Sequence, residues 1–375
     1  MEIMFLCSDK NAVYRAYTRE QIGETPVRTF EEVKAEFASG TSDAPCASGV
    51  TGESDASSAS GAAGANYANS ASSATCASGA PSASGASSAS CVEAVFSTWG
   101  MPRLTEAEIA QYFPNLKYVF YGAGSVQHFA RPFLHSGVRV FSAWAANGVP
   151  VAEYTVAQIV LANKGYFRLC DRYKNGGWAQ AVEYADHYPG NYGGKIGLLG
   201  AGVIGKNVIK LLKPYALSVR VYDPYLSAEG ARTLGVEQVG LEEIFSECAV
   251  ISNHIANNER TKGMLDYRLF SKMGDYATFI NTGRHAQIVE ADLLRAMMEK
   301  PTRTALLDVT DPTEPLPKDN PLWQCPNVFI TPHRAGSVRD ERYRLGAYMM
   351  EEYGRIGRGD APLYEVVEEM LLTMA

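Results

Sequence analysis

A glycine-rich turn constrains the fold of this chain more than any other local feature. Gly200, Gly202 and Gly205 form the pattern G-x-G-x-x-G between a short apolar run and a helix-forming stretch. In a strand–turn–helix unit, the first glycine allows the tight turn, the second lets the backbone approach a pyrophosphate, and the third lets the helix pack closely on the sheet. The free N–H groups of Val203 and Ile204 would then face negative charge. The motif therefore predicts a parallel α/β unit that binds a dinucleotide.

An acidic residue follows this turn where the next strand is expected to end. Asp223 lies 18 residues beyond Gly205, and a carboxylate there can accept hydrogen bonds from the adenosine ribose hydroxyls. A 2′-phosphate at 4 Å from this carboxylate would be repelled by about 4 kcal/mol at an effective dielectric constant near 20. The three residues that follow supply no cation, and Arg220 could point either way. The sequence therefore favours NAD over NADP.

Short apolar segments alternate with helix-like stretches over most of the chain, which is typical of α/β folds. We predict strands at residues 3–7, 93–98, 117–121 and 138–142, and again at 195–199, 218–222, 249–252, 277–281, 304–308 and 328–331. Helices are predicted at residues 13–22, 30–37, 105–113, 150–169 and 338–355, with Thr105 as the cap of the third. Fully apolar strands suit parallel sheets that helices cover on both faces.

The composition changes abruptly between residues 38 and 90. Ala, Ser and Gly predominate there, and Lys, Arg, Leu, Ile and Phe are absent. Such a segment has too little apolar surface to offset its ordering entropy. We interpret it as an inserted linker inside the first domain.

Charge and cysteine content exclude several classes of protein. The net charge of -7 argues against a nucleic-acid binder, whose affinity rests on neutralising phosphates. No apolar run reaches the ~20 residues that span a bilayer, so no membrane partner is expected. The first eight residues lack a basic region and are interpreted as a strand rather than a signal peptide. Seven cysteines without a C-x-x-C pair indicate no disulfide framework, no metal site and a reducing cytoplasm.

Three polar residues fall at or just beyond the ends of later predicted strands: Arg284, Glu314 and His333. The carboxyl ends of parallel strands are where an open α/β sheet binds its ligand. An arginine can hold a carboxylate through two hydrogen bonds and polarise the adjacent carbonyl. A histidine can donate a proton as hydride arrives from NADH, and a neighbouring carboxylate favours its protonated form. The set is suited to reducing a 2-oxo acid.

These residues lie in motifs that resemble the D-isomer-specific 2-hydroxyacid dehydrogenase family. The motifs are residues 200–205 with Asp223, then 280–284, 307–317 and 327–336, with shorter matches at 122–124, 152–153 and 361–363. The resemblance implies two Rossmann-like domains, each a doubly wound parallel sheet, with a cleft between them. It implies a substrate domain at 1–145 carrying the insertion at 38–90, an NAD-binding domain at 146–336, and a helix in 337–375 that returns to the first domain.

The resemblance also implies an activity and residue roles. The protein would be an NAD-dependent oxidoreductase that interconverts a D-2-hydroxy acid and its 2-oxo acid, usually as a homodimer built through the cofactor domain. Arg284 would bind the substrate carboxylate and carbonyl, and His333 would be the acid–base, paired with Glu314. The substrate would also meet Trp99, in a covering loop at 97–101, and Gly124, Ser125 and Val126. The cofactor would be bound by Gly200, Gly202, Val203, Ile204, Gly205, Asp223, Ile255, Thr282, Gly283, Asp308, His333 and Gly336.

Residues 253–257 differ from the Pro-containing loop that is common in the family, and two further departures from the family pattern concern the candidate catalytic residues. His285 stands where the family usually has glycine, and its side chain could crowd the substrate or add a cation. Glu314 lies six residues after Asp308, one more than is usual, so either Thr313 is an insertion or Asp311 takes some of the role. We favour Glu314, because Pro-Leu-Pro follows it as in the family.

Two other functions compete with that of a dehydrogenase. A non-catalytic NAD(H)-sensing dimer would need only the cofactor cleft, so the presence of Arg284, Glu314 and His333 argues against it. Formate oxidation is discounted because that branch typically carries Gln rather than Glu beside the histidine.

Overall fold

The computed structural model describes residues 1–39, 89–310 and 314–372. Two open sheets organise these residues, and their strands alternate with helices along the chain. The helices are α1 (Lys10–Ala16), α2 (Arg19–Ile22), α3 (Phe30–Ser39), α4 (Glu106–Tyr112), α5 (Ala130–His135), α6 (Trp144–Ala162), α7 (Tyr166–Ala185), α8 (Val203–Leu212), α9 (Ala228–Leu234), α10 (Leu241–Glu247), α11 (Tyr267–Phe270), α12 (Glu290–Glu299) and α13 (Glu341–Arg358).

The first sheet combines the N-terminal strands with one strand from the end of the chain. Its strands are β1 (Ile3–Cys7), β2 (Val27–Thr29), β3 (Ala94–Ser97), β4 (Tyr118–Tyr121), β5 (Arg139–Ser142) and β13 (Glu365–Val366). Across the described part of this sheet their order is β13-β5-β4-β3-β1-β2. All neighbours are parallel except β13, which pairs antiparallel with β5.

The second sheet is parallel throughout the described strands. It contains β6 (Tyr192–Leu199), β7 (Ala216–Tyr222), β8 (Glu237–Gln238), β9 (Val250–Asn253), β10 (Thr278–Asn281), β11 (Thr304–Leu307) and β12 (Val328–Ile330). The order is β12-β11-β10-β9-β6-β7-β8. The chain reverses direction across the sheet beside β6, and such a switch point is where an open α/β sheet binds its ligand.

A row of phenylalanines explains why α13 returns to the first sheet. Phe5, Phe96, Phe120 and Phe141 are paired in register on four adjacent strands. Their neighbouring ring centroids lie 5.4, 4.9 and 4.9 Å apart. Tyr353 of α13 meets this row edge-on, 5.5 Å from Phe96 and 5.7 Å from Phe120. The helix therefore covers an aromatic face that the first domain cannot bury alone.

Helix α6 connects the two domains. Ala146 near its start belongs to the core of the first domain, whereas Val156 and Ile159 belong to the core of the second. The second crossing lies beside it, because the side-chain oxygen of Asn147 accepts a hydrogen bond from the N–H of Ser337 at 3.3 Å. The two chain crossings are thus fastened together at the point where the domains meet.

All the predicted strands are present, with ends that differ by at most three residues. The helix predicted at 150–169 begins instead at Trp144, and Pro150 lies inside it. Proline is common in the first turn of a helix, which is why the helix was predicted to begin at Pro150. In the structure, the turns before Pro150 are also helical. The segment 13–22 forms two helices separated at Thr18, which caps the second. Thr105 caps α4 through a capping box, as predicted.

Helix α7 was not predicted from the sequence. It runs through Gly176 and Gly177, and Gly177 has φ 78°, outside the helical region. Two adjacent glycines are a helix-breaking signal, so the pattern concealed a long kinked helix. Much of this helix is also exposed, which weakens its apolar periodicity.

The described cysteines differ in their bonding state. Cys7, Cys170, Cys248 and Cys325 are free thiols, whereas Cys91 is disulfide-bonded. The expectation of no disulfide is therefore wrong for Cys91, because spacing along a chain does not report distance in space. None of the helices in the described ranges combines the length and apolar character needed to cross a bilayer. Most of the 38–90 segment lies outside the described residues.

Gly346 marks the closest approach of α13 to the first domain, and it yields a test. A Cβ at this position would lie 2.8 Å from the ring of Tyr17 and closer still to the carbonyl oxygen of Ala16. We expect Gly346→Ala to lower the free energy of unfolding by about 1–3 kcal/mol. In the same helix, Gly357→Ala meets nothing within 4 Å among the described residues and should be neutral or slightly stabilising. Urea unfolding measures both variants, and equal stabilities would contradict this packing.

Candidate cofactor and active site

The glycine-rich turn lies at the carboxyl end of β6, in the centre of the second sheet. Gly200 has φ 96°, and a Cβ there would lie 2.7 Å from the carbonyl oxygen of His254. A Cβ on Gly205 would collide with the carbonyl oxygen of Gly200. Gly202 differs, because a Cβ there would meet none of the described atoms within 4 Å. Packing within the protein requires the first and third glycines, and the second leaves backbone open to a ligand.

The N-terminus of α8 faces the same open side. Gly202 is the N-cap and provides no side-chain cap to the first-turn N–H groups of Val203 and Ile204 in the described structure. Such N–H groups carry partial positive charge. The exposed turn and the uncapped helix start therefore fit the pyrophosphate of a dinucleotide.

Asp223 is hydrogen-bonded to the backbone of the glycine-rich turn. One carboxylate oxygen accepts the N–H of Ala201 at 2.7 Å, and the other accepts the N–H of Tyr225 at 2.8 Å. An ionised carboxylate has about four lone-pair sites, so it retains capacity for ribose hydroxyls. The acidic residue thus helps to shape the site that it is predicted to serve.

The structure resolves the open question about Arg220. Three residues along an extended strand point to opposite faces, and the Arg220 guanidinium lies away from Asp223. It forms ion pairs at 3.1, 3.1 and 2.7 Å with three carboxylates: Glu237, Glu243 and Glu247. Its charge is therefore already committed.

An amide network supports the ends of β9 and β10, and sequence reasoning missed it. Asn253 donates to the side-chain oxygens of Asn281 at 3.1 Å and Gln287 at 2.6 Å. Gln287 donates to the carbonyl of Ile255 at 2.7 Å, and Asn281 donates to the carbonyl of Arg284 at 3.2 Å. The network fixes the backbone at two predicted site residues. The sequence feature that could have revealed this network is an asparagine at the last position of each of two strands that pair in register.

Two further cofactor-side predictions lie against this network. Thr282 is buried, and its hydroxyl lies 3.1 Å from the hydroxyl of Thr155 on α6. Gly283 donates its N–H to the side-chain oxygen of Asn281 at 3.1 Å. Both residues therefore have fixed backbones at the carboxyl edge of β10.

His254 directly precedes Ile255, and its backbone lies against the glycine turn at Gly200. Its Nε2 lies 3.0 Å from the hydroxyl of Ser252, and its Nδ1 is buried without a hydrogen-bond partner among the described residues. Burial lowers the pKa of His254 to about 4. The imidazole is therefore neutral at pH 7 and adds no positive charge beside the turn.

Asp308 shapes the turn that carries His333. One carboxylate oxygen accepts the hydroxyl of Thr331 at 2.7 Å and the N–H of Arg334 at 2.8 Å. The other accepts the N–H of Ala335 at 2.8 Å, and the Asp308 carbonyl accepts the N–H of His333 at 2.9 Å. These bonds hold His333 at φ 52°, a conformation that non-glycine residues rarely adopt. Asp308, which is predicted to contact the cofactor, therefore also stabilises the turn that carries His333.

His333 and Glu314 are brought together by the fold. The Nδ1 of His333 donates to a carboxylate oxygen of Glu314 at 2.8 Å, and the two side chains are 46% and 41% exposed. The ring can therefore still offer Nε2 to a ligand. Asp311 and Thr313, the alternatives raised by the extra residue, lie outside the described residues.

Arg284 lies beside this pair. Burial lowers the pKa of the Arg284 guanidinium, and the nearby Glu314 carboxylate opposes that shift. An arginine remains charged in proteins, so a cation lies close to the histidine–carboxylate pair. Its Nη1 donates to the carbonyl of Gly283 at 2.9 Å. The structure therefore brings the three predicted catalytic side chains into one region.

The residues predicted to meet the substrate follow two neighbouring strands of the first sheet. Trp99 follows β3 and is 40% exposed. Gly124, Ser125 and Val126 follow the neighbouring strand β4, and the side chain of Val126 is buried in the first core. Val126 can therefore serve a ligand only through its backbone.

Asn147 lies between the two domain edges. A Cβ on Gly124 would be 3.4 Å from the Asn147 side chain, and so would a Cβ on Gly336. Both predicted glycines therefore approach one amide from opposite domains. This contact brings the substrate-side loop next to the cofactor-side turn.

Comparisons with known proteins agree with these observations. Residues 156–335 match a family described as D-isomer specific 2-hydroxyacid dehydrogenase, NAD binding domain. A D-3-phosphoglycerate dehydrogenase from Archaeoglobus fulgidus is 29% identical over 255 residues, which are 68% of this chain and 48% of that protein. The chain spans about half the length of the first curated relatives it matches.

Solved structures give the same fold. The crystal structure of the TT0316 protein from Thermus thermophilus is 25% identical, has a TM-score of 0.60, and covers 74% of this chain and 86% of its own. The apo-structure of D-lactate dehydrogenase from Escherichia coli is 19% identical, with a TM-score of 0.61, over 98% of this chain and 100% of its own. The latter likeness concerns the fold alone.

Two parallel-sheet domains, with an open glycine turn at the carboxyl edge of one, define a two-domain protein that binds a nicotinamide dinucleotide. Residues 156–335 belong to the family of NAD-binding domains of D-isomer-specific 2-hydroxyacid dehydrogenases. The fold class, the family and the class of cofactor predicted from the sequence are therefore confirmed.

The difference between Gly202 and Gly205 gives a test of the cofactor site. Gly202→Ala should fold like the wild type but weaken NADH binding by about tenfold or more, or 1.4 kcal/mol, because its Cβ would occupy the open backbone surface. Gly205→Ala should lose both stability and binding, because its Cβ meets the Gly200 carbonyl. Urea unfolding and NADH fluorescence titration separate the two effects. Wild-type NADH affinity in Gly202→Ala would refute the assignment of this turn.

Proposed function

We propose that this protein is an NAD-dependent dehydrogenase that interconverts a D-2-hydroxy acid and its 2-oxo acid. The observation that carries the proposal is that Arg284 lies close to the hydrogen-bonded His333–Glu314 pair, in the domain that contains the glycine turn. The family membership supports it, as does the similarity to a D-3-phosphoglycerate dehydrogenase.

Arg284 would bind and polarise the substrate. Its guanidinium can form two charge-assisted hydrogen bonds with a carboxylate while lying next to the adjacent carbonyl. Burial strengthens these interactions because the local dielectric constant is low. Bound NADH supplies a hydride to the carbonyl carbon.

His333 would move the proton. Its Nδ1 is engaged by Glu314 at 2.8 Å, which leaves Nε2 to donate a proton to the carbonyl oxygen during reduction and to accept it during oxidation. Glu314 favours the charged imidazole, and Asp308 fixes the turn that aims it. General acid–base assistance of this kind contributes roughly 10²–10⁴-fold to a rate.

The first domain would complete the site. We propose that backbone N–H groups of Ser125 and Val126 meet the substrate carboxylate and that Trp99 covers it. The domains would close about the two crossings, with hinges near Ala145 and Gly336, and closure would exclude water from the hydride path. The boundaries 1–145, 146–336 and 337–375 stay predictions, as does a cytoplasmic location.

We propose NAD rather than NADP as the cofactor. Asp223 lies at the turn, and the nearby cation Arg220 is held by three glutamates. A 2′-phosphate would therefore meet a carboxylate without help from Arg220.

Replacing Arg284 tests the catalytic assignment. Arg284→Ala removes two charged hydrogen bonds, each worth about 1.5–3 kcal/mol, so kcat/KM for a 2-oxo acid should fall by about 10²-fold or more. NADH affinity should stay within about twofold of wild type. The surface variant Arg295→Ala, which loses an exposed ion pair with Glu299 and a contact with the Tyr267 ring, is the control. Absorbance assays with a panel of 2-oxo acids give the rates.

Two results would contradict the proposal in different ways. Retention of most activity in Arg284→Ala would remove Arg284 from the site. Wild-type protein that quenches NADH fluorescence but oxidises NADH with no 2-oxo acid would instead indicate the NAD(H)-sensing alternative.

We also propose that the protein is a homodimer built through the cofactor domain. Large apolar side chains are exposed along α6 and α7: Leu161, Tyr166, Tyr173, Trp178 and Val182. An apolar surface of this kind typically marks an interaction site. Family membership supports the second copy as its partner.

A charge on α7 tests the dimer. Trp178 is 71% exposed, so Trp178→Asp should leave the monomer folded while placing an unpaired charge in the interface. We expect sedimentation to show a dimer for the wild type and a monomer for the variant. Met298→Asp, at another exposed apolar residue on α12, should remain dimeric. A monomeric wild type at micromolar concentration would contradict the proposal.

A further inference from the structure

We propose that His285 is a positioning residue that, together with Glu290, sets the spacing between Arg284 and the Glu314–His333 pair. The inference deepens the proposed function and rests on it. His285 follows Arg284 directly in the sequence, so its contacts bear on the backbone that carries the guanidinium.

His285 is buried and takes part in two polar contacts. The side chain is 3% exposed, and its Nδ1 lies 3.1 Å from the carbonyl oxygen of Val309. A carbonyl oxygen can only accept a hydrogen bond, so Nδ1 carries the hydrogen. The ring is therefore fastened to the end of β11, and it neither crowds the substrate nor adds an exposed cation to the cleft.

The second ring nitrogen extends the connection. Its Nε2 lies 3.2 Å from a carboxylate oxygen of Glu290, a close contact in which neither atom makes a hydrogen bond within the described residues. The other carboxylate oxygen of Glu290 accepts the side-chain N–H of Asn320 at 2.8 Å, and Asn320 in turn accepts the N–H of Leu322 at 2.9 Å. Polar contacts thus lead from the Arg284 loop to residue 320, with the step from His285 to Glu290 made by proximity and not by a hydrogen bond.

The two ends of this chain bracket Glu314 in the sequence. Val309 precedes Glu314 and Asn320 follows it, so both sides of the stretch that carries the carboxylate are tied to His285. Val309 also follows Asp308, which holds the turn of His333. His285 is consequently connected to all three side chains of the proposed active site.

We expect the loss of His285 to lower the reaction rate by displacing Glu314, without weakening cofactor binding. Displacing a reacting group by 1 Å can cost about 10²-fold in rate. Without the imidazole, the Val309 carbonyl would lose its buried hydrogen-bond donor, and the Glu290 carboxylate would lose a close neighbour. We expect Glu314 to shift relative to Arg284, while the glycine turn at residues 200–205 stays unchanged.

Three substitutions at position 285 separate positioning from packing. His285→Ala should lower kcat by between about 10-fold and 100-fold, with NADH affinity within about twofold of wild type. His285→Asn should restore most of the rate, because its side-chain nitrogen can occupy the place of Nδ1 and donate to Val309. His285→Gln matches Nε2 instead and should restore less.

A second readout is independent of turnover. Ring ¹H–¹⁵N resonances of His333, recorded without cofactor at one pH, report its contact with Glu314. They should shift in His285→Ala towards their positions in Glu314→Gln. The double variant His285→Ala/Glu314→Gln should lose little more activity than Glu314→Gln alone, because coupled residues are not additive.

His135 provides the matched control. Both of its ring nitrogens likewise lie close to oxygen atoms, those of the Glu106 carboxylate at 3.0 Å and the Glu368 carboxylate at 3.2 Å, but on the surface of the first domain. His135→Ala should leave kcat and the His333 resonances unchanged.

The outcomes distinguish this inference from the proposed function. Wild-type kcat and unshifted His333 resonances in His285→Ala would overturn it. Equal losses of rate and stability in the Ala and Asn variants would also overturn it and indicate core packing alone. If the wild type reduces no 2-oxo acid, the proposed function fails, while the resonances still decide whether His285 positions Glu314.

Discussion

The buried carboxylate of Asp308 is the interaction on which the arrangement of the site depends. It accepts one hydroxyl and two backbone N–H groups from the turn around His333. Hydrogen bonds to a charged group contribute about 1.5–3 kcal/mol each, enough together to hold His333 at a positive φ. Asp308 directly follows β11, which pairs with β10, the strand that leads to Arg284. One buried acid therefore relates a histidine turn to the edge of the sheet that presents the arginine.

The two domains are joined in a way that suits relative motion about a fixed point. Helix α6 passes from one core to the other, and Asn147 ties it to the returning chain at Ser337. Gly124 and Gly336 approach the same amide from opposite sides. The loop that is proposed to meet the substrate and the turn that follows His333 are thus anchored at a shared place, close to both predicted hinges.

The sequence predicted the features of the fold that depend on residues close to one another in the chain. The glycine turn, the Thr105 cap and the apolar strands depend on neighbours in sequence, and the structure contains all three. Helix α7 was missed because Gly176 and Gly177 interrupt its pattern. The role of His285 could not be predicted, since its partners Val309 and Glu290 become neighbours only after folding. The pairing of Glu314 with His333 was reached through family resemblance, not spacing.

The central claim is that Arg284 and His333 act on the same carbonyl group. The most direct test is a crystal structure of the complex with NAD⁺ and an unreactive 2-oxo acid analogue. The account predicts the Arg284 guanidinium and the Nε2 of His333 within about 3.2 Å of one carbonyl oxygen, with Glu314 still on Nδ1. An analogue held elsewhere, or side chains that reach different parts of the ligand, would contradict it.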